Sequence, residues 1–279
     1  GEPETGTLVF STIGTVRIVP EDEAVTRSET PGHACKIAAS GRHGYFVVAY
    51  GATAYCARTS EVAHAASEWK ANETAEDERV LDRESIHACE RSAGGGSIEV
   101  VSMTRDERAF ATCDENGRVE FYVAKGKNDG TVSAEKFGEM TMKAPVRALK
   151  WCSDNRSFVA LAGDELVFVE SVGKEAKRVA EGVSCVSARS NDTLAWAIGN
   201  TVFVGSQADP LQPPKSQIEI GPFRGPEDTV EVDGIYAASA EKFLLTARSV
   251  AEPDDCFLSV LMKSEGSWAN TRLESAFDI

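Results

Sequence analysis

Seven cysteines, Cys35, Cys56, Cys89, Cys113, Cys152, Cys185 and Cys256, are the most reactive side chains in this sequence. A thiolate can attack a carbonyl or hold zinc, but a structural zinc site needs close pairs such as C-x-x-C, and no pair has that spacing. Most of the seven sit within apolar strand-like runs, where cysteine behaves as a small hydrophobe. An odd count without paired spacing argues for a reducing compartment, nucleus or cytosol, over a disulfide framework. The four histidines, His33, His43, His64 and His87, lack metal-ligand spacing and fall in or beside polar segments, where a solvated imidazole is expected. Gly94-Gly95-Gly96 is not followed by the Lys-Ser/Thr of a phosphate-binding loop, and it reads as a connection. There is no G-x-S-x-G nucleophile elbow. The reading is a protein without catalytic residues, metal or cofactor.

Carboxylates are the abundant functional group. Asp and Glu total 44 against 29 Lys and Arg, a formal net charge of −15. Phosphate neutralisation needs clustered cations, so direct nucleic-acid binding is not expected. No apolar run approaches the ~18 residues of a membrane helix. An acidic surface does steer a basic partner. The candidate contact residues are loop acids: Glu21, Asp22 and Glu23, then Glu227 and Asp228, then Asp254 and Asp255.

Such loops need a scaffold, and the scaffold is legible as a repeat. Val146 to Trp151 alternates as a strand, a polar turn Ser153 to Arg156 follows, and Phe158 to Ala162 and Leu166 to Val169 flank Gly163-Asp164. Val183 to Val204 repeats that order with the turn Gly199-Asn200. Ile98 to Val123 repeats it with Asn116-Gly117, a strong hairpin signal because both central residues take positive φ. Cys35 to Cys56 is an earlier copy and Val230 to Leu261 a later one. Five copies at roughly 35 to 60 residues match the spacing of β-propeller blades. A lone meander cannot bury both of its faces, whereas radial stacking buries them between blades. Trp151, Trp196, Phe158, Phe203 and Phe243 fall at repeat-equivalent strand positions and read as blade core. Trp69 and Trp268 fall outside the tightest repeats. Residues 206–229 read as a long loop with one strand, Gln217 to Ile220. Residues 125–144 read as a polar connection with room for an outer blade strand, and 60–84 as either a surface helix or a loop.

The order of these motifs resembles the N-terminal β-propeller of the cytoplasmic-face FG nucleoporin that binds the DEAD-box helicase of mRNA export. The resemblance runs from Val16-Arg17-Ile18-Val19-Pro20 through Gly44 to Gly51, Pro145 to Val169 and Val183 to Val204, and then from Pro222-Phe223 to Leu261. It implies a seven-bladed propeller, with about five to six blades in this chain, and one domain over 1–279 that is incomplete at its C-terminal side. It implies an adaptor that docks the basic surface of a DEAD-box RNA helicase, among other nucleoporins, at the cytoplasmic face of the nuclear pore complex. The family's helicase contacts include a loop beyond Ile279, so its contact residues do not transfer. Two other readings of the repeat are a WD-repeat-like scaffold of another cytosolic or nuclear complex and, third, a propeller hydrolase with carboxylates around its channel.

Overall fold

The computed structural model describes residues 16–17, 36–64, 79–80, 86–127, 130–188, 192–222, 225 and 228–273. Five antiparallel sheets of four strands follow one another along the chain. The first is β2 (Lys36–Ser40), β3 (Tyr45–Tyr50), β4 (Thr53–Arg58) and β6 (Ile86–Ala88), and a parallel pair joins β1 (Val16–Arg17) to β5 (Arg79–Val80). The second is β7 (Ile98–Met103), β8 (Ala109–Asp114), β9 (Arg118–Gly126) and β10 (Val132–Thr141). The third is β11 (Val146–Trp151), β12 (Phe158–Ala162), β13 (Glu165–Val169) and β14 (Lys177–Ala180). The fourth is β15 (Cys185–Ala188), β16 (Thr193–Ile198), β17 (Thr201–Ser206) and β18 (Ser216–Glu219). The fifth is β19 (Val230–Ser239), β20 (Lys242–Ser249), β21 (Cys256–Ser264) and β22 (Ser267–Arg272).

The first strand of each sheet touches the first strand of the next, in the order β2, β7, β11, β15, β19. This is the radial arrangement of a β-propeller, with the first strands innermost. A cavity of about 360 Å³ lies among β2, β7 and β11, in the central channel. Second strands are sandwiched between neighbouring blades, so β12 is buried at every position and β3, β8 and β16 at five of six. That burial on both faces is why these runs are continuously apolar.

Four inter-blade cores hold the wedges together. Phe110 stacks on Tyr122 at 5.1 Å between the first two blades. Between the second and third, Trp151 lies 5.8 Å from Phe121 and 5.4 Å from Phe158. Leu161, Leu166, Leu194 and Trp196 fill the next interface. Val202, Ile235, Phe243 and Leu245 fill the one after it. Each such side chain is worth roughly 1.5–3 kcal/mol when buried. Trp268 belongs to this last core, its ring 5.8 Å from that of Phe243, so it is blade core and not an outlier of the repeat. Trp69 lies outside the described residues.

The tight turns from second to third strand fall at repeat-equivalent glycines, Gly51, Gly117, Gly163 and Gly199, all with positive φ. Gly117 is the most constrained: its φ is 80°, and a Cβ there would sit 2.7 Å from the Ala144 carbonyl oxygen. The polar stretch 125–144 contains a full ten-residue outer strand, β10. The segment 60–84 opens within a helical turn at 59–64 and contains β5, and its remainder lies outside the described residues. His87 sits in β6, where burial lowers its pKa, with Lys127 adding to the effect.

Candidate docking surface

With four antiparallel strands per blade, the connections alternate between the two ends of the ring. Turns from first to second and from third to fourth strand emerge at one end. Turns from second to third strand and the linkers between blades emerge at the other.

The first end is tied together by hydrogen bonds across blades. His43 Nε2 meets the Asp106 carbonyl at 2.9 Å, and the Arg105 guanidinium donates to Gln207 Oε1 at 2.9 Å. The turns themselves repeat a local device. Asp106 Oδ1 accepts from the Arg108 N–H at 3.2 Å and Asp154 Oδ1 from the Arg156 N–H at 3.0 Å, an Asx-type turn in each blade. The following residue is left-handed in each case, Glu107 at φ 61° and Asn155 at φ 56°. A left-handed non-glycine residue costs on the order of 1–2 kcal/mol, so the surroundings must hold it. They do so through the preceding blade. Glu107 Oε2 accepts from Ser40 Oγ and the Arg42 N–H, both at 2.8 Å, and Asn155 Oδ1 accepts from the Asp106 N–H at 2.9 Å. The Arg42 N–H and Ser40 hydroxyl keep the Glu107 carboxyl below the usual range despite a smaller opposing effect of burial.

The opposite end carries the sequence-predicted acids that the structure describes. Asp228 enters β19, and Asp254 and Asp255 sit in the connection from β20 to β21. Ser249 links two of them: its hydroxyl donates to Asp228 Oδ1 at 2.9 Å, and its N–H donates to the Asp255 backbone carbonyl at 3.2 Å. The Val250 N–H to Thr229 carbonyl bond, 2.8 Å, closes the same junction. Asp254 is exposed, and Asp228 and Asp255 are half-buried. Glu21, Asp22, Glu23 and Glu227 lie outside the described residues.

One ionic centre escaped sequence reasoning. Arg91, on the linker between the first two blades, donates to Glu120 Oε2 at 2.6 Å and Asp114 Oδ2 at 3.2 Å, and to the carbonyls of Ala52 and Gly96. Both carboxylates have essentially no exposure, 0% for Glu120 and 1% for Asp114. Burial would raise the Glu120 pKa, but the Ser92 N–H and Arg91 together leave it below its ordinary value. Every atom that needs a partner has one, and the centre reads as a linker clamp rather than a reactive site. The Gly94-Gly95-Gly96 run passes over it: a Cβ on Gly95 would meet the Arg91 guanidinium at 2.9 Å. The sequence signal was the pair Asp114 and Glu120 flanking a hairpin in otherwise apolar strands. Among the described residues no group of three or more His, Cys, Asp or Glu could hold a metal ion. Along the channel cavity Glu99 is the one carboxylate, beside Lys36, Arg147 and Lys150.

No protein-family model matches the chain, and no curated protein matches its sequence. Solved structures do resemble it. The β-propeller domain of Cps50 (Swd1) from Myceliophteria thermophila superposes with a TM-score of 0.54 at 11% identity, covering 89% of this chain and 70% of that one. The N-terminal domain of Nup159 gives 0.50 at 15% identity, over 88% of this chain and 62% of that one. A protein from Lactobacillus plantarum gives 0.53 at 10% identity, over 86% and 69%. The chain therefore spans less than two thirds of the Nup159 domain. At these identities the likeness is one of architecture: this chain has the β-propeller fold.

Proposed function

We propose that the chain is a non-catalytic docking platform whose acidic end receives the basic surface of a DEAD-box RNA helicase at the cytoplasmic face of the nuclear pore complex. The observation that carries this reading is the placement of Asp228, Asp254 and Asp255 at one end of the fifth blade, where Ser249 hydrogen-bonds the Asp228 carboxylate and the Asp255 backbone carbonyl. Carboxylates set on hydrogen-bonded turns present fixed negative charge, which speeds encounter with a basic surface and fixes its orientation. The fold likeness to the Nup159 N-terminal domain agrees with a nucleoporin setting. In this reading the five described blades belong to one propeller domain of the seven-bladed type, and the helicase partner performs all chemistry. The test is association of the propeller with that helicase at low and high salt, using wild type and a D228K/D254K/D255K variant. The variant is expected to associate more slowly, with a flatter salt dependence. Absence of wild-type binding at low salt would count against the reading.

A second reading, a propeller scaffold of another complex, draws on the likeness to the Cps50 (Swd1) propeller, whose TM-score of 0.54 matches that of the nucleoporin domain or better. It predicts no helicase binding at any salt concentration.

A further inference from the structure

The channel cavity differs in charge from the chain around it. Its walls are the innermost strands β2, β7 and β11, and its charged side chains are Lys36, Arg147 and Lys150 against a single carboxylate, Glu99. The chain as a whole carries a net charge of −15. A register shift sets the two cations of the third blade. β11 loses step with β12 between Val146 and Ala148, so Arg147 is the extra residue of a β-bulge. The bulge moves the side-chain alternation by one position. Val146, Leu149 and Trp151 are therefore buried, while Arg147 and Lys150, three apart, are both exposed and line the cavity.

Among the described residues neither of these cations has a carboxylate at ion-pair distance. The Arg147 guanidinium donates to the Gly163 and Ser184 carbonyls at 3.1 and 2.8 Å, which fixes its position without cancelling its charge. Lys150 makes no ion pair among the described residues. Burial within the channel walls lowers its pKa, and no charged neighbour contributes to that shift. Lys36 and Glu99 lie 3.9 Å apart and offset one another. The remaining carboxylates on innermost strands, Glu231 and Asp233 of β19, are not among the cavity walls. They are engaged on the fifth blade, Glu231 with Arg248 at 3.0 Å and Asp233 with the Thr246 hydroxyl at 2.7 Å.

We propose that the channel cavity binds a small multivalent phosphate anion, held between Lys150 and Arg147 with Lys36 on the facing strand. An ammonium drawn out of bulk water without a counter-ion gains from an anion that reaches it. Three residues of extended strand cover roughly 10 Å, a separation that a condensed phosphate bridges through two long side chains and a single phosphate does not. A volume of about 360 Å³ suits a small molecule and not a nucleic-acid strand.

The probe is inorganic tripolyphosphate, titrated calorimetrically into the whole chain at physiological ionic strength without divalent metal. Orthophosphate is measured alongside. Tripolyphosphate is expected to bind at one site per chain, with orthophosphate at least roughly tenfold weaker. K150Q and R147Q should each weaken tripolyphosphate on the order of tenfold, and K150R only a few-fold, since the charge is kept. E99Q should tighten it, because it removes the one carboxylate of the cavity. R42Q/R108Q/R156Q, on turns outside the cavity, should leave it unchanged. Thermal unfolding by circular dichroism checks that each variant is folded, and K150R and E99Q keep the test decisive if K150Q is not. No tripolyphosphate binding, equal loss in K150R and K150Q, unchanged or weaker binding in E99Q, or a loss in the turn variant as large as in K150Q would each overturn the proposal.

Discussion

Two residues that look unremarkable in sequence, Glu107 and Asn155, join neighbouring blades. Each is left-handed, and each side chain accepts a hydrogen bond from the preceding blade. Asn155→Gly keeps the backbone geometry but loses the bond to the Asp106 N–H, and should cost about 1 kcal/mol in urea unfolding. Asn155→Ala adds the left-handed penalty, for roughly 2 kcal/mol. Equal costs for the two would show that the backbone conformation contributes nothing. Glu107 also gives a pH signature. Its folded pKa is depressed, so its contribution is full above the unfolded glutamate value of ~4.3 and is lost as pH falls through the lower folded value. Glu107→Gln should therefore flatten the acid limb of the stability profile, while leaving the profile above pH ~6 parallel to wild type. The same steep acid limb in E107Q would remove the carboxylate from the account.

At the scale of elements, three strands of each blade were legible and the outermost strand was mostly not. Inner strands alternate or run continuously apolar because a neighbouring blade covers them. The outermost strand has an open edge, and β14, Lys177–Ala180, has lost the pattern because two of its four residues are exposed. The turns were legible through glycine, and they are not equivalent in cost. Gly117→Ala should destabilise by about 2 kcal/mol or more, since strain at positive φ adds to a clash with the Ala144 carbonyl. Gly199→Ala, at φ 56° with no atom within 4 Å of the added carbon, should cost only about 1 kcal/mol. Equal values in denaturant titrations would remove the close approach as an explanation. The Arg91 clamp was illegible because its partners come from separate strands and a linker, a juxtaposition that only the folded blade creates. Arg91→Met removes the cation shared by the two buried carboxylates, leaving Glu120 only Lys136 at 3.5 Å, and should cost about 3 kcal/mol.

For the whole molecule, the propeller architecture was available from the period of the repeat, and solved propellers share it. The candidate site was legible only in part. Charge runs in loops marked Asp228, Asp254 and Asp255 as candidates, but the link of Asp228 and Asp255 through Ser249 depends on the pairing of β19 with β20. The most direct test is the hydrogen-exchange footprint of the DEAD-box helicase on this chain. The account predicts slowed exchange at 228–233 and 249–256, with 41–44, 104–108 and 152–157 unchanged. Slowed exchange confined to those three turns, or no slowing anywhere at low salt, would contradict it.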